Sequence, residues 1–341
     1  MIDHAARKLL LRSGLLIASI TLGGLIAEAS FRVLKAWLGR PPIYEYDEDL
    51  GWAPIPNISY AFAQESQNGE AYVAHYATND IGFRLWGDPT SDRSRIFFVG
   101  DSFTQDENMS NEAAYYSQVA RLLPAEVFAV GGGGYGTLQE VLMLERYWHD
   151  IAPTHVVIQF CSNDFANNHF EMEGFSVVRN QKNFRPYVVD GEVVFRTAGL
   201  YRSFYRHSML FRFIDQRAQN LQYLRLNGYS SLDEKQARVL HYAAVEVTRD
   251  ILQKAQKLGT DSVKWYMFNC EAASREWMDL AKETGFEPIA SVAEAVEAAE
   301  MQGLSVRAPD GRYWNNLGHE IAGTVLAKYL EKELSEVGSE S

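Results

Sequence analysis

Residues 9–27 form an almost unbroken apolar run in which Arg12 is the one charged residue. As a helix this run spans about 29 Å, close to the hydrocarbon thickness of a bilayer. Arg12 lies near one end and can snorkel to the headgroups. The pattern predicts one N-terminal transmembrane helix within residues 1–40, ended by Pro41 and Pro42. A cleaved signal peptide is the competing reading, with Ala27-Glu28-Ala29 as its nearest cleavage match, but the run is long for one. Arg7, Lys8 and Arg12 on one side balance Arg32, Lys35 and Arg40 on the other, so the positive-inside count is tied. A short N-terminal tail before an anchor ordinarily stays cytoplasmic. That places the main part of the chain on the extracytoplasmic side of a single-pass anchor.

Past the anchor the period of the pattern changes. Residues 95–100 are apolar, rich in β formers and end in glycine, which reads as a buried strand. Similar runs at 126–130, 155–160 and 263–268 predict three more. Helical patterns cover 111–123, 138–150, 232–258, 274–284, 292–301 and 318–334. Strands alternating with helices imply a parallel sheet covered on both faces, with its ligand beyond the C-terminal strand ends. This domain is expected over 93–335. Residues 41–92 read as an irregular lead-in with a few short strands, such as 72–76. Residues 166–230 interrupt the alternation as an insert at the active edge. It contains a hairpin turning at Asp190-Gly191 and a stretch rich in Arg, Tyr and Phe. Residues 336–341 read as a frayed tail.

Composition narrows the classes. The 341 residues carry 32 Lys and Arg against 44 Asp and Glu, a formal charge of −12, which argues against a nucleic-acid partner. Two cysteines exclude a disulfide scaffold and an all-cysteine zinc site. Cys161 and Cys270 end the third and fourth strands. Neighbouring strands lie about 4.8 Å apart, so a disulfide is open to them, but two buried thiols are the preferred reading. The histidines at 4, 75, 169, 207 and 241 show no ligand spacing, so no metal and no cofactor are expected. Gly131 to Gly136 formally fits a dinucleotide pattern. The acid such a site wants roughly 20 residues on is not there. Arg202, Arg206 and Arg212 read as a solvated face, with a lipid-headgroup patch as the alternative.

The strand ends carry the chemistry. The first runs into Gly100-Asp101-Ser102, placing a serine where a helix begins and backbone N–H groups can hold an oxyanion. The second ends in four glycines, 131–134, which allow close backbone approach. The third ends in Asn163-Asp164, where an Asn amide can be a further donor.

At these residues the chain resembles the SGNH hydrolases, the GDSL-like esterases. The matching blocks are Gly100-Asp101-Ser102, Gly134, Asn163-Asp164 and a C-terminal segment from Asp310 to His319. Leu50-Gly51-Trp52, Pro56-Asn57 and Asn79-Asp80-Ile81-Gly82-Phe83-Arg84 resemble a membrane-anchored bacterial branch linked to surface polysaccharides. The resemblance implies a three-layer, flavodoxin-like α/β/α fold with about five parallel strands. It implies Ser102 as nucleophile, an oxyanion hole from the Ser102 N–H, Gly134 and Asn163, and Asp310 as the carboxylate that orients a histidine.

The last block departs from the family pattern D-x-x-H-W-N-x-x-G-H, because Tyr313 stands where the histidine belongs. A phenol with a pKa near 10 is a poor base at neutral pH. His319 is a weak substitute, six residues further on. Two functions are therefore expected. One is ester hydrolysis or acyl transfer on an acylated glycan or small ester, weakened or lost for want of a base. The other is an inactive SGNH-fold subunit of a membrane protein complex. Membrane lipid around residues 9–27 is the expected partner in both.

Overall fold

The structure, a computed structural model, describes residues 4–65, 69, 71–176, 182–226 and 231–337. Helix α1 (His4–Leu38) opens the chain. Within its stretch Leu11–Leu38 an 18-residue window has a mean hydropathy of 1.7 and none of that window is buried, so the helix is long and apolar enough to cross a membrane. Its last turn closes with the Gly39 N–H on the Lys35 carbonyl at 2.8 Å, just ahead of the two prolines.

The lead-in is more ordered than its turn-rich sequence suggests. Strands β1 (Tyr44–Asp47) and β2 (Gly51–Pro54) form one antiparallel pair. Strands β3 (Ser59–Glu65) and β4 (Ala71–Ala77) form another, and the expected strand at 72–76 lies in β4. Asp47 closes the first turn, its Oδ1 accepting from the N–H groups of Asp49 at 2.9 Å and Leu50 at 2.8 Å.

The main sheet begins with β5 (Arg95–Gly100), followed by the short α2 (Ser102–Gln105), α3 (Tyr115–Leu122) and β6 (Glu126–Gly131). Next come α4 (Thr137–Ile151), β7 (His155–Phe160), α5 (Asn163–Asn168) and α6 (Phe170–Glu173). The insert supplies the hairpin β8 (Pro186–Val189) and β9 (Glu192–Phe195), then α7 (Gly199–His207) and α8 (Met209–Leu226). At its turn Asp190 (φ 52°) and Gly191 (φ 83°) both take the left-handed conformation that a two-residue hairpin loop requires. The chain closes with α9 (Glu234–Gln256), β10 (Lys264–Asn269), α10 (Arg275–Glu283), β11 (Glu287–Pro288), α11 (Ser291–Met301) and α12 (Asn316–Val337). Of the expected tail, 338–341 lie outside the described residues.

The sheet order is β11-β10-β7-β5-β6, with every pairing parallel. This is the flavodoxin-like order, with β5 beside the point where the winding reverses. Alternate residues feed the two faces. Ile96, Phe98, Ala129, Val157 and Phe268 pack with α3, α11 and α12, while α4 covers β5 and β6 on the other face. The result is the three-layer α/β fold that the resemblance implies.

One expectation is corrected. Cys161 and Cys270 are joined in a disulfide with Cα atoms 5.6 Å apart. They directly follow Phe160 and Asn269, which pair in register on β7 and β10. Parallel register thus brings both cysteines to one level, inside the ordinary disulfide range.

The chain divides into two units. One joins Met1–Pro42 to Thr197–Arg225, which is α1 with α7 and α8; the other holds Ile43–Arg196 and Leu226–Ser341.

Candidate active site

The turn after β5 is crowded. A Cβ on Gly100 would meet the Thr104 Oγ1 at 2.1 Å and the Gln159 Oε1 at 2.6 Å, so only glycine fits. Asp101 caps α2, its Oδ1 accepting from the Phe103 N–H at 2.9 Å. Its own N–H donates to the Gln159 Oε1 at 3.2 Å. Ser102 is therefore the first residue of a helix seated on a strand end. Its N–H is one of the leading donors that a helix leaves unpaired, and it has no partner among the described residues.

The glycine run after β6 presents a second donor. The Gly132 N–H donates to the Gly100 carbonyl at 3.1 Å, the Gly133 N–H to the Tyr44 hydroxyl, and the Tyr135 N–H to the Gly132 carbonyl at 2.8 Å. The Gly136 N–H donates to the Gln139 Oε1 at 3.4 Å. From Gly132 to Gly136, the N–H of Gly134 alone has no partner among the described residues. Gly134 is left-handed at φ +75°. The third donor is the Asn163 amide at the start of α5, also without a partner among the described residues.

Ser102, Gly134, Asn163 and Tyr313 line one cavity of about 310 Å³, together with Tyr44, Gln105, Asp106, Glu107, Asn108 and Arg312. The site residues named from the sequence thus converge, with two exceptions. Asp310 does not line the cavity. Its Oδ1 accepts from the N–H groups of Arg312 at 2.9 Å and Tyr313 at 3.1 Å, so it shapes the turn that carries Tyr313 and touches that residue's backbone. His319 is fully buried behind the site. Its Nδ1 accepts from the Tyr115 N–H at 3.3 Å, so its Nε2 carries the proton and donates to the Asp106 Oδ2 at 3.0 Å. Neither ring nitrogen is left to serve Ser102.

The Tyr313 phenol lies beside Ser102 on the wall of this cavity. Burial pushes the phenol above its ordinary pKa, and the Ser102 contact opposes this only in part. The group beside the serine is therefore a neutral phenol at neutral pH. No histidine lines the cavity among the described residues.

Sequence reasoning missed the buried polar layer beneath. Arg185, from the insert, donates its Nε to the Glu173 Oε2 at 3.0 Å and its Nη2 to the Gly134 carbonyl at 2.5 Å. It also reaches Gln139, and the Tyr187 hydroxyl completes Glu173 at 2.6 Å. Both members of the Arg185–Glu173 pair are buried. Three acids lie nearby. Burial pushes Asp101 up to about 6. Burial holds both Glu140 and Asp164 well above the ordinary carboxyl range, helped by repulsion from Asp164 and Asp101 on Glu140 and from Asp101 on Asp164. Both Glu140 oxygens lack a partner among the described residues.

No family model and no curated protein matches the chain. Solved structures similar to it include a member of the lipolytic G-D-S-L family from Veillonella parvula, at 12% identity and TM-score 0.36, covering 69% of this chain and 97% of that one. The lipase/acylhydrolase from Enterococcus faecalis is similar at 16% identity and TM-score 0.39, over 70% of this chain and 96% of that one. An acetyl-xylooligosaccharide esterase mutant from Geobacillus is similar at 15% identity and TM-score 0.35, over 70% and 94%.

Proposed function

We propose that this chain is a membrane-anchored, extracytoplasmic protein with an SGNH hydrolase-like site, built for ester hydrolysis or acyl transfer by Ser102 and disarmed at its base. The observation that carries the reading is the placement of Tyr313 beside Ser102 in a cavity that no histidine lines among the described residues. Attack by the Ser102 Oγ on an acyl carbonyl forms an O–C bond and requires the hydroxyl proton to leave. A neutral phenol already holds a proton. It is a poor acceptor for the Oγ proton, so hydrolysis is weak or absent. The oxyanion donors are intact, and the cavity keeps a place for an acyl carbonyl. Its polar lining, with Tyr44, Asn108 and Arg312, suits an acylated glycan or small ester. The apolar α1 supports anchoring. The Cys161–Cys270 disulfide supports an oxidising compartment such as the periplasm.

A second reading has its own support. The groups a triad would recruit are engaged elsewhere, Asp310 in a turn and His319 on Asp106. On this reading the chain is a silent binding or structural subunit of a membrane protein complex.

The test is hydrolysis of p-nitrophenyl acetate by the full chain in detergent, beside Tyr313→His and Ser102→Ala. A restored general base contributes about 10²–10⁴-fold, so Tyr313→His should gain activity of that order, abolished by adding Ser102→Ala. Wild-type hydrolysis already as fast as Tyr313→His and lost in Ser102→Ala would sink the reading.

A further inference from the structure

The unit made of α1, α7 and α8 turns apolar side chains outward. On α7, Leu200 and Phe204 are one turn apart and 71% and 54% exposed. On α8, Ile214, Leu221 and Leu224 are 55%, 58% and 67% exposed, and their spacing puts them on one helix face with Arg217 and Arg225. Residues 197–225 hold five arginines (202, 206, 212, 217 and 225) and one acid, in a chain of net charge −12. That acid is Asp215. It accepts from the Tyr201 hydroxyl and from the Gln219 Nε2, the latter at 2.5 Å.

The elbow between α7 and α8 is fastened to α1 just where the apolar run 9–27 ends. Glu28 accepts from the N–H groups of Met209 and Leu210, each at 2.9 Å, and from the Ser208 hydroxyl at 2.7 Å. These N–H groups are donors that the start of α8 cannot satisfy internally. Arg32 donates to the His207 carbonyl at 2.7 Å. Phe31 packs on Phe213 with ring centroids 5.1 Å apart.

We infer that α7 and α8 lie in the headgroup layer of an anionic membrane as a collar beside α1, with the leucines and Phe204 in the acyl boundary and Arg217 and Arg225 on lipid phosphates. Exposed apolar positions, interleaved arginines and aromatic residues are the composition of an interfacial helix. The positive charge of the segment complements an anionic leaflet. Its continuity with the exposed apolar surface of α1 favours lipid over a protein occupant. The inference rests on reading α1 as a membrane anchor.

The test uses the full chain in phosphatidylcholine vesicles, alone or mixed with phosphatidylglycerol. Leu221→Cys carries an environment-sensitive NBD label, and brominated lipids serve as quencher. Both native cysteines are in the disulfide, so the new thiol is labelled alone. A Leu16→Cys label reports on the anchor. Shallow bromines should quench the label at Leu221, about twofold more with phosphatidylglycerol than without. Adding Arg217→Glu and Arg225→Glu should remove that difference. Water-like, unquenched emission at Leu221 with quenching at Leu16 overturns the collar and leaves the anchor. Loss of quenching at Leu16 overturns the anchor itself. Unquenched blue-shifted emission at Leu221 that grows with protein density means a second copy covers the face, and it also overturns the collar.

Discussion

Arg185 donates to the Gly134 carbonyl at 2.5 Å while its Nε sits on Glu173 at 3.0 Å. A side chain from the insert therefore holds the residue whose N–H faces the candidate oxyanion site. Arg185→Ala leaves the Glu173 carboxylate buried and unpaired, which should cost about 3–5 kcal/mol. Arg185→Leu with Glu173→Leu should cost clearly less. Chemical denaturation of the two variants decides it; equal losses would mean that the pair is not what Arg185 supplies.

Stability should fall as pH rises. Asp101, Glu140 and Asp164 hold protons more tightly folded than unfolded. Between the unfolded carboxyl pKa of about 4 and their raised folded values, the native state binds more protons. The stabilisation is full below that window and is lost as pH climbs through it, by about 1.4 kcal/mol per pH unit for each group. Glu140→Gln removes one such group, so its advantage over wild type should be small at pH 4 and grow to pH 8. A variant with the same urea midpoint difference at both pH values would refute this.

His319 should matter to stability and not to proton transfer. His319→Ala removes the hydrogen-bond donor to the buried Asp106 Oδ2 and should cost about 1–3 kcal/mol. In a Tyr313→His background it should still leave Ser102-dependent ester hydrolysis within about tenfold, because the general base of that variant is residue 313. Complete loss of activity in a protein that remains folded would reinstate His319 as the base.

The disulfide closes a long loop, with a sequence separation of 109. Cys161→Ser with Cys270→Ser should lower stability by about 2–5 kcal/mol. The thermal midpoint of the oxidised protein should fall on reduction to that of the double variant. Identical midpoints before and after reduction would show that the bond adds nothing.

The strands β5, β6, β7 and β10 were legible because each is a short run of β formers buried on both faces. β11 was not, since Glu287-Pro288 offers two residues, neither of them a β former. The site was legible where chemistry sits in the backbone order, at Ser102, Gly134, Asn163 and Tyr313. It was illegible where it depends on contacts between distant segments. Nothing local in Arg185 points to Gly134, and nothing in His319 points to Asp106. The preference for two free thiols failed for a related reason. Sequence puts both residues at strand ends, but only the register of β7 against β10 puts them at one level.

The fastening of α8 to Glu28 also bears on the order in which the protein is made. Glu28 and Leu210 are 182 residues apart, and α1 shares its unit with a segment that is synthesised only after Ile43–Arg196 has emerged. A chain threaded from its N-terminus therefore delivers α1 long before the helices that cap it. Through most of synthesis the Glu28 carboxylate waits without the three donors from Ser208, Met209 and Leu210. Completion of the first unit is thus a late event, timed by the length of Ile43–Arg196.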